Sequence, residues 1–441
     1  MRAVRTSLQA ARCGAALFAC AGAARAQSCA PFWLRPAKAP GDAGSYGAWK
    51  AVFDDGTGPA LFARYGDGYQ HDGMARWRGY VWERLDEGLA PVQTIEDVRV
   101  LDGGDGPHVY AEGGTPPNWA MWVWDGSRWQ PTPPGFFYSD ARPYCSFDDG
   151  TGMAIYGQAW VGSLMQFARW DGRQWVAITP MGITEPFQMR SLDIGDGPAV
   201  YLSGFHSMPA LPNARGIARW NGHQLSALGS GFSGTSADTR ALIVFDDGHG
   251  RELYVGGGHT GLGGVAGTSG LARWNGQRWA AVPGHSGAGV LSLEVFDDGS
   301  GPALFVAGAF DSEGGVPARH IARFDGAAWS ALGAGVPSNS GYMTAFTTDP
   351  RGPSLFVWAS GAGTVGGSTV ISSGDYQWVG CPNCYANCDN STQSPRLNVL
   401  DFLCFLNKFA ARDPYANCTV DATIDIADFI CFLNKFAAGC P

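Results

Sequence analysis

Charge is scarce in this chain: Asp, Glu, Lys and Arg together make up 16% of its 441 residues. That is too little to keep a chain disordered, or to dress the outer faces of a coiled coil or helical bundle. Positive charge is the scarcer sign, with 30 Lys and Arg against 39 Asp and Glu. No basic run is present, so bulk electrostatic binding of nucleic acid or anionic lipid is not expected. No segment reaches 18 consecutive apolar residues, so no membrane-spanning helix is expected either. Catalytic signatures are missing: there is no GxSxG, HExxH, P-loop or dinucleotide fingerprint, and the eight His stand singly. What abounds is glycine, 64 residues, and aromatic side chains at 12%, the composition of many short strands joined by tight turns. An all-β repeat protein is the expectation.

Residues 1–26 carry Arg2, Arg5 and Arg12, a short apolar stretch from Gly14 to Ala23, and a small-residue site at Ala24 and Ala26. They read as a removed secretory signal, which makes the mature chain secreted or extracellular and, with no membrane insertion, attached to a cell surface only through a partner. Losing the four Arg of that segment takes the formal charge from −9 to −13. Cysteine is concentrated at the other end, with seven of the 11 between Cys381 and Cys440. In an exported chain this spacing indicates a small disulfide-stapled module, and CPNC at 381–384 has no second pair or His to make a zinc site.

One phrase recurs: VFDDGTGPALF at 52–62, VLDGGDGPHVY at 100–110, SFDDGTGMAIY at 146–156, SLDIGDGPAVY at 191–201, VFDDGHGRELY at 244–254, VFDDGSGPALF at 295–305 and a degraded copy at 345–356. Its apolar markers Phe53, Leu101, Phe147, Leu192, Phe245, Phe296 and Phe346 are spaced 48, 46, 45, 53, 51 and 50 residues apart, a period that points to propeller blades. A second phrase closes each unit, as in VWDGSRW at 123–129, RWDGRQW at 169–175, RWNGQRW at 273–279 and RFDGAAW at 323–329. Asp-Gly or Asn-Gly between aromatic strands is a strong hairpin signal. Each unit thus holds two hairpins, or four antiparallel strands, as one blade does.

This layout resembles the kelch-type propeller over roughly residues 45–380: a strand ending in Gly256 and Gly257, a variable loop, then an aromatic pair with Trp82, Trp129, Trp175, Trp279, Trp329 and Trp378 on the outer strand. The resemblance implies an all-β, seven-bladed propeller spanning residues 27–380 and leaves activity open, because such propellers host binding proteins and a few oxidases. Trp33 lies in a stray strand expected to pair with the last or first blade. Cys145, on a first strand, reads as a buried small residue and the free thiol.

After Trp378 a unit beginning at Tyr385 is repeated from Tyr415, setting off 381–441 as a separate module. Phe402, Phe405, Leu406 and Phe409, and again Phe429, Phe432, Leu433 and Phe436, fall at helical spacing. Before the second helix, Asn417, Thr419, Asp421, Thr423, Asp425 and Asp428 occupy positions 1, 3, 5, 7, 9 and 12 of an EF-hand-type loop, a set of oxygens suited to Ca²⁺. Ala422 stands where the loop usually has Gly. The first copy offers Asn387, Asp389, Ser391, Asn398 and Asp401 across a three-residue insertion. A calcium-free pair of helices held by disulfides is the alternative. The duplicated loop-plus-helix resembles a dockerin, and more closely its Cys-containing C-terminal variant. That resemblance implies Ca²⁺-dependent folding and docking to a cohesin-like surface partner through Val399 and Leu400 or Ile426 and Ala427. Repeat equivalence suggests bridges Cys388–Cys404, Cys418–Cys431, Cys384–Cys440 and Cys29–Cys381.

The repeated Asp pairs read as turn chemistry, since a motif present in nearly every blade is architecture. The Arg of the second phrase reads as a blade-surface residue, and the Trp rows as packing between blades. Binding is expected on the loops 205–216, 258–270 and 310–320, for an unknown protein or glycan ligand. The chain therefore reads as an exported interaction protein, with a dockerin-delivered polysaccharide-active enzyme as the alternative.

Overall fold

The computed structural model describes residues 32–34, 50–66, 72–78, 82–89, 94–115, 118–137, 141–178, 188–205, 208, 211–233, 236–336, 342–346, 353–359, 363–365, 368–370, 374–379, 399–412, 416 and 424–438. The chain divides into two compact units, one comprising residues 30–383 and the other including 384–441. The larger unit is a β-propeller. Among the described residues it contains six four-stranded antiparallel sheets each formed from one stretch of chain, at 50–84, 94–131, 142–177, 188–227, 239–281 and 290–331. A further four-stranded sheet is composite, ordered Tyr342–Phe346, Ser354–Ala359, Gly374–Val379 and Phe32–Leu34.

The turns that make these sheets follow from the repeated phrases. In all six continuous sheets the first Asp of the DDG-type turn accepts two backbone N–H groups, from the residues two and four further on. Asp54 Oδ1, for example, is 2.9 Å from Gly56 N and 3.0 Å from Gly58 N. The same pair is made by Asp102, Asp148, Asp193, Asp246 and Asp297. Gly56 and Gly58 sit at φ 89° and 101°, a region costly for side-chain-bearing residues. At the second hairpin Asp125, Asp171, Asn221, Asn275 and Asp325 each accept the N–H groups two and three residues on, fixing the third and fourth strands in register.

The sheets are joined through apolar clusters that each draw on two neighbours. Ile95 and Trp122 of the second sheet pack with Phe62 and Met74 of the first, and Phe296 and Phe305 of the sixth pack with Leu355 and Trp378 of the composite sheet. The ring closes between the composite sheet and the first, where Phe356 meets Trp77 at a centroid distance of 6.2 Å. The first strands touch in succession around the ring, Tyr342–Phe346 meeting Lys50–Asp54. A polar staple crosses several of these interfaces: the fourth-strand indole N–H of Trp129, Trp175, Trp279 and Trp329 donates to a carbonyl of the preceding sheet's trailing loop, at Leu85, Phe136, Leu228 and Pro283, over 2.7–3.0 Å. The Trp rows are inter-sheet packing, as their spacing suggested.

One sequence assignment shifts, while the Trp33 strand pairs into the last sheet as expected. Trp378 is on the third strand of its sheet, and the outer strand there is Phe32–Leu34, in which Trp33 pairs with Trp378. The reason is that the tight Asp-Gly turn of the other sheets is absent between these two strands, which come from opposite ends of the ring. Trp33 thereby stands in register where Trp129 opposes Trp124.

The smaller unit contains helices α1 (Val399–Ala410) and α2 (Ile426–Ala438). Phe405 and Phe432 are fully buried and stack at 3.9 Å with an interplanar angle of 9°, and Phe402, Phe409, Phe429 and Phe436 pack around them. The helical Phe spacing is thus the seam between the repeats. Asp401 and Asp428 lie in the first turns, where a carboxylate complements the helix N-terminus.

The substitution Trp279→Phe should keep the aromatic packing but remove the inter-sheet bond to the Leu228 carbonyl, which keeps only the Gly231 N–H. It should lower unfolding stability by about 0.5–1.5 kcal/mol in denaturant melts, whereas Ser127→Ala on an exposed turn should change it by less than about 0.5 kcal/mol.

Candidate functional site

The second Asp of each DDG turn behaves differently from the first, and the Arg expected on the blade surface proves to be its partner. Asp55 is 2.6 Å from Arg76, Asp149 is 3.4 Å from Arg169, and Asp298 is 3.8 Å from Arg323; Asp247 is paired with Arg273. These Arg side chains are 12–23% exposed, because the third strand directs them over the turn of their own sheet instead of into solvent. At two interfaces the same Asp also holds the next sheet: Trp124 Nε1 donates to Asp55 Oδ2 and Trp378 Nε1 to Asp298 Oδ2, both at 3.2 Å. Burial pushes the Asp55 carboxyl up, but hydrogen bonds from Thr57 and Trp124 and the Arg76 charge outweigh it and hold the group below the usual carboxylate range. The Asp pairs are therefore structural, and metal or sugar chemistry has no free carboxylate there.

The long loops between second and third strands are well packed. In 258–270 and 310–320, Gly263 and Gly314 lie against the rings of Trp279 and Trp329, where a Cβ would fall 2.5–2.6 Å from the indole Cδ1. Their N–H groups bond Gly231 and Gly284 of the preceding trailing loops at 2.8 and 2.9 Å. Under the second loop, His285 Nδ1 lies 3.0 Å from Glu313 Oε2, both side chains fully buried, and Ser286 donates to the same carboxylate through its N–H and Oγ. His259 is buried against Phe232, and burial pulls its pKa down to about 4. These two loops therefore also staple the sheets together, while Thr260 and Val265 of the first, Asp311 and Arg319 of the second and Asn213 and Arg215 of 205–216 are exposed.

A cavity of about 900 Å³ opens along the axis of the ring, lined by residues from the first strands of all the sheets. Its apolar wall includes Val98, Met189, Leu242 and Leu293. Arg99 pairs with Asp97 and lies over the Tyr144 ring at 4.9 Å, Arg142 is 3.8 Å from the buried Glu112, and Arg240 is 3.2 Å from Asp238. Burial raises the Glu112 pKa above the usual carboxylate range. Cys145 is a free, buried thiol in the same wall, raised by burial to about 12, so it stays protonated and unreactive at neutral pH. Sequence reading found Cys145 but not the charged wall, whose members lie on different repeats and come together only when the ring closes.

Of the expected metal ligands, Asp401, Asp425 and Asp428 are described. Asp401 and Asp428 are fully buried; Asp428 Oδ2 accepts the Asp425 N–H at 2.9 Å and Asp425 Oδ1 accepts the Ala427 N–H at 2.8 Å. Asn387, Asp389, Ser391, Asn398, Asn417, Thr419, Asp421 and Thr423 lie outside the described residues, as do residues 1–26 and Cys29, Cys381, Cys384, Cys388, Cys418 and Cys440. Cys404 and Cys431 are disulfide-bonded. Among the described residues no group of three or more His, Cys, Asp or Glu is placed to hold a metal ion, and no helix is long and apolar enough to cross a membrane.

No family model matches the chain, and no curated protein matches it. Solved structures do. BBS1N, from its complex with ARL6DN, is 10% identical at a TM-score of 0.45, covering 79% of this chain and 97% of that one. The GH74 xyloglucanase of Xanthomonas campestris is 13% identical at 0.39, covering 75% and 48%. The six-bladed fucose-binding lectin of Aleuria aurantia is 15% identical at 0.33, covering 67% and 99%. Likeness at this level assigns neither ligand nor activity to this chain.

His259 carries a pH dependence. Its pKa is lower in the folded protein than its ordinary 6.5, so the stability of the neutral, buried form is complete above about pH 6.5 and is lost as pH falls toward about 4. His259→Gln should flatten the fall of the urea midpoint between pH 6.5 and 4.5; an unchanged slope would place the acid sensitivity elsewhere.

Proposed function

We propose that this chain is an exported interaction protein. In this reading its propeller is a seven-bladed, kelch-like scaffold for a protein or glycan ligand, with the composite sheet as the closing blade. The 381–441 module is dockerin-like, binds Ca²⁺ and docks the protein to a cohesin-like partner at a cell surface. The observation that carries the docking half is a duplicated apolar face: Val399, Leu400 and Leu403 on α1, and Ile426, Ile430 and Leu433 on α2, are 38–67% exposed. Exposed apolar residues clustered at equivalent positions of two helices mark an interaction surface. The full burial of Asp401 and Asp428 supports the cation, because carboxylates taken out of water at the ends of oxygen-rich loops suit a hard ion. These two, with Asp425 and the loop oxygens at 387–398 and 417–423, would hold it. Ca²⁺ would supply charge neutralisation and loop order there, without which the two repeats would rest on their Phe seam and disulfides.

The polysaccharide-active alternative needs an uncommitted acid and base in the channel. Asp97 and Asp238 are instead each paired with the Arg two residues further on, an arrangement that favours binding.

Millimolar Ca²⁺ should raise the melting temperature of the transition assigned to the C-terminal module in calorimetry of the full chain. Asp428→Ala should abolish most of that rise and Asp401→Ala less, since the second loop keeps the 12-residue spacing and, with Asp421, the larger formal charge. Equal losses, or no response to Ca²⁺, would favour a module held by disulfides alone.

A further inference from the structure

The axial cavity has a lopsided charge, and one of its cations is uncommitted. Arg99, Cys145 and Arg190 occupy the same place in successive repeats, two residues before the markers Leu101, Phe147 and Leu192, so they stand side by side on neighbouring first strands. The strand carrying Cys145 touches the two strands carrying Arg99 and Arg190, one on each side. Arg99 is spent on Asp97, Glu112 and the Pro143 carbonyl. Arg190, exposed in the cavity wall, makes no ion pair among the described residues. With Lys50, Arg142 and Arg240 also lining the space, positive groups outnumber the lining carboxylates Asp97, Asp238 and Glu294, and the buried Glu112 behind Arg99 and Arg142 does not reverse the balance. An inward excess of positive charge in a chain of net charge −9 is the reverse of what composition would place there.

We infer that the axial cavity is a binding site for a small hydroxylated carboxylate, held by Arg190. The inference deepens the reading of the propeller as a ligand-binding scaffold and is independent of the docking module. One uncommitted guanidinium matches one planar oxyanion, which it can engage through two parallel N–H bonds; a polyphosphate would require several. The wall beside Arg190 mixes Met189 and Leu192 with the hydroxyl of Ser191, and Gln188 follows the same strand. Such a surface suits a carbon skeleton bearing hydroxyls better than a bare inorganic ion. The volume, about 900 Å³, falls within the range of small-molecule sites, roughly 300–1,000 Å³. Closure of the ring alone accounts for an axial space, but not for an exposed Arg in its wall that has no ion pair among the described residues.

Isothermal titration of the full chain with D-glucuronate, with D-glucose as its neutral counterpart and with inorganic phosphate, tests this. Saturable heat is expected with glucuronate and none with glucose. Arg190→Gln should weaken glucuronate binding at least about tenfold, Arg190→Lys should weaken it less, and Arg173→Gln on an exposed turn should leave it unchanged. Circular dichroism melts of each variant establish that the fold is retained. No binding of glucuronate, binding unaffected by Arg190→Gln, or phosphate bound as tightly as glucuronate would each overturn the assignment. A failure to bind Ca²⁺ or a docking partner would leave it standing.

Discussion

The constraint on which the propeller depends is a buried carboxylate at the turn between first and second strands. A sheet has two open edges and a propeller must fix the angle between sheets that share no backbone hydrogen bonds, so apolar packing alone leaves the sheets free to slide. Asp55 removes that freedom by accepting from Arg76 of its own sheet and the Trp124 indole of the next, and Asp298 by its ion pair with Arg323 and the bond it accepts from the Trp378 indole. The fourth-strand indoles bond in the same sense, each donating to a carbonyl of the preceding sheet. The interface between the first and second sheets carries both bonds, from Trp124 and Trp129, and apolar clusters fill the space between the sheets.

The arrangement leaves a mark in the sequence that is visible once the geometry is known. Arg and second Asp vary together among the repeats. In the second sheet the Asp position is Gly103 and the Arg position is Val123, so both charges are absent. In the fourth, Ile194 replaces the Asp, and Arg219 turns to Asp196, two residues on, at 3.0 Å. A buried charge without its partner is costly, and in each of the five repeats that keep the Arg it has a carboxylate partner. Read from one repeat at a time, the Arg looks like a surface residue, which is why composition and period gave the hairpins and the strand order but misplaced it.

Local signals served best where the physics is local. Asp-Gly turns, the Trp rows and the Phe stripes of α1 and α2 were all legible, because turn geometry and helical spacing are settled within a few residues. The role of Trp378 was not, since it depends on a strand arriving from the far end of the chain. The channel wall was hidden for the same reason: Arg99, Arg142 and Arg190 are far apart in sequence and meet only through closure. Residues that contribute to such a wall carry no local pattern, whereas ligand loops like 417–428 do.

The two units pose different functional questions. Two of the propeller's long loops help hold the ring, with Gly263 and Gly314 pressed on Trp279 and Trp329, and the axis offers a second, charged surface. The helical pair leaves its apolar side chains exposed on both repeats, an arrangement that favours docking from either face. The central structural claim, that a turn carboxylate couples adjacent sheets, is tested most directly by a double-mutant cycle in which Asp55→Ala and Trp124→Phe are made singly and together and stability is measured in urea. The account predicts a coupling energy of about 1 kcal/mol or more between these side chains of neighbouring sheets. Strict additivity of the two losses would contradict it.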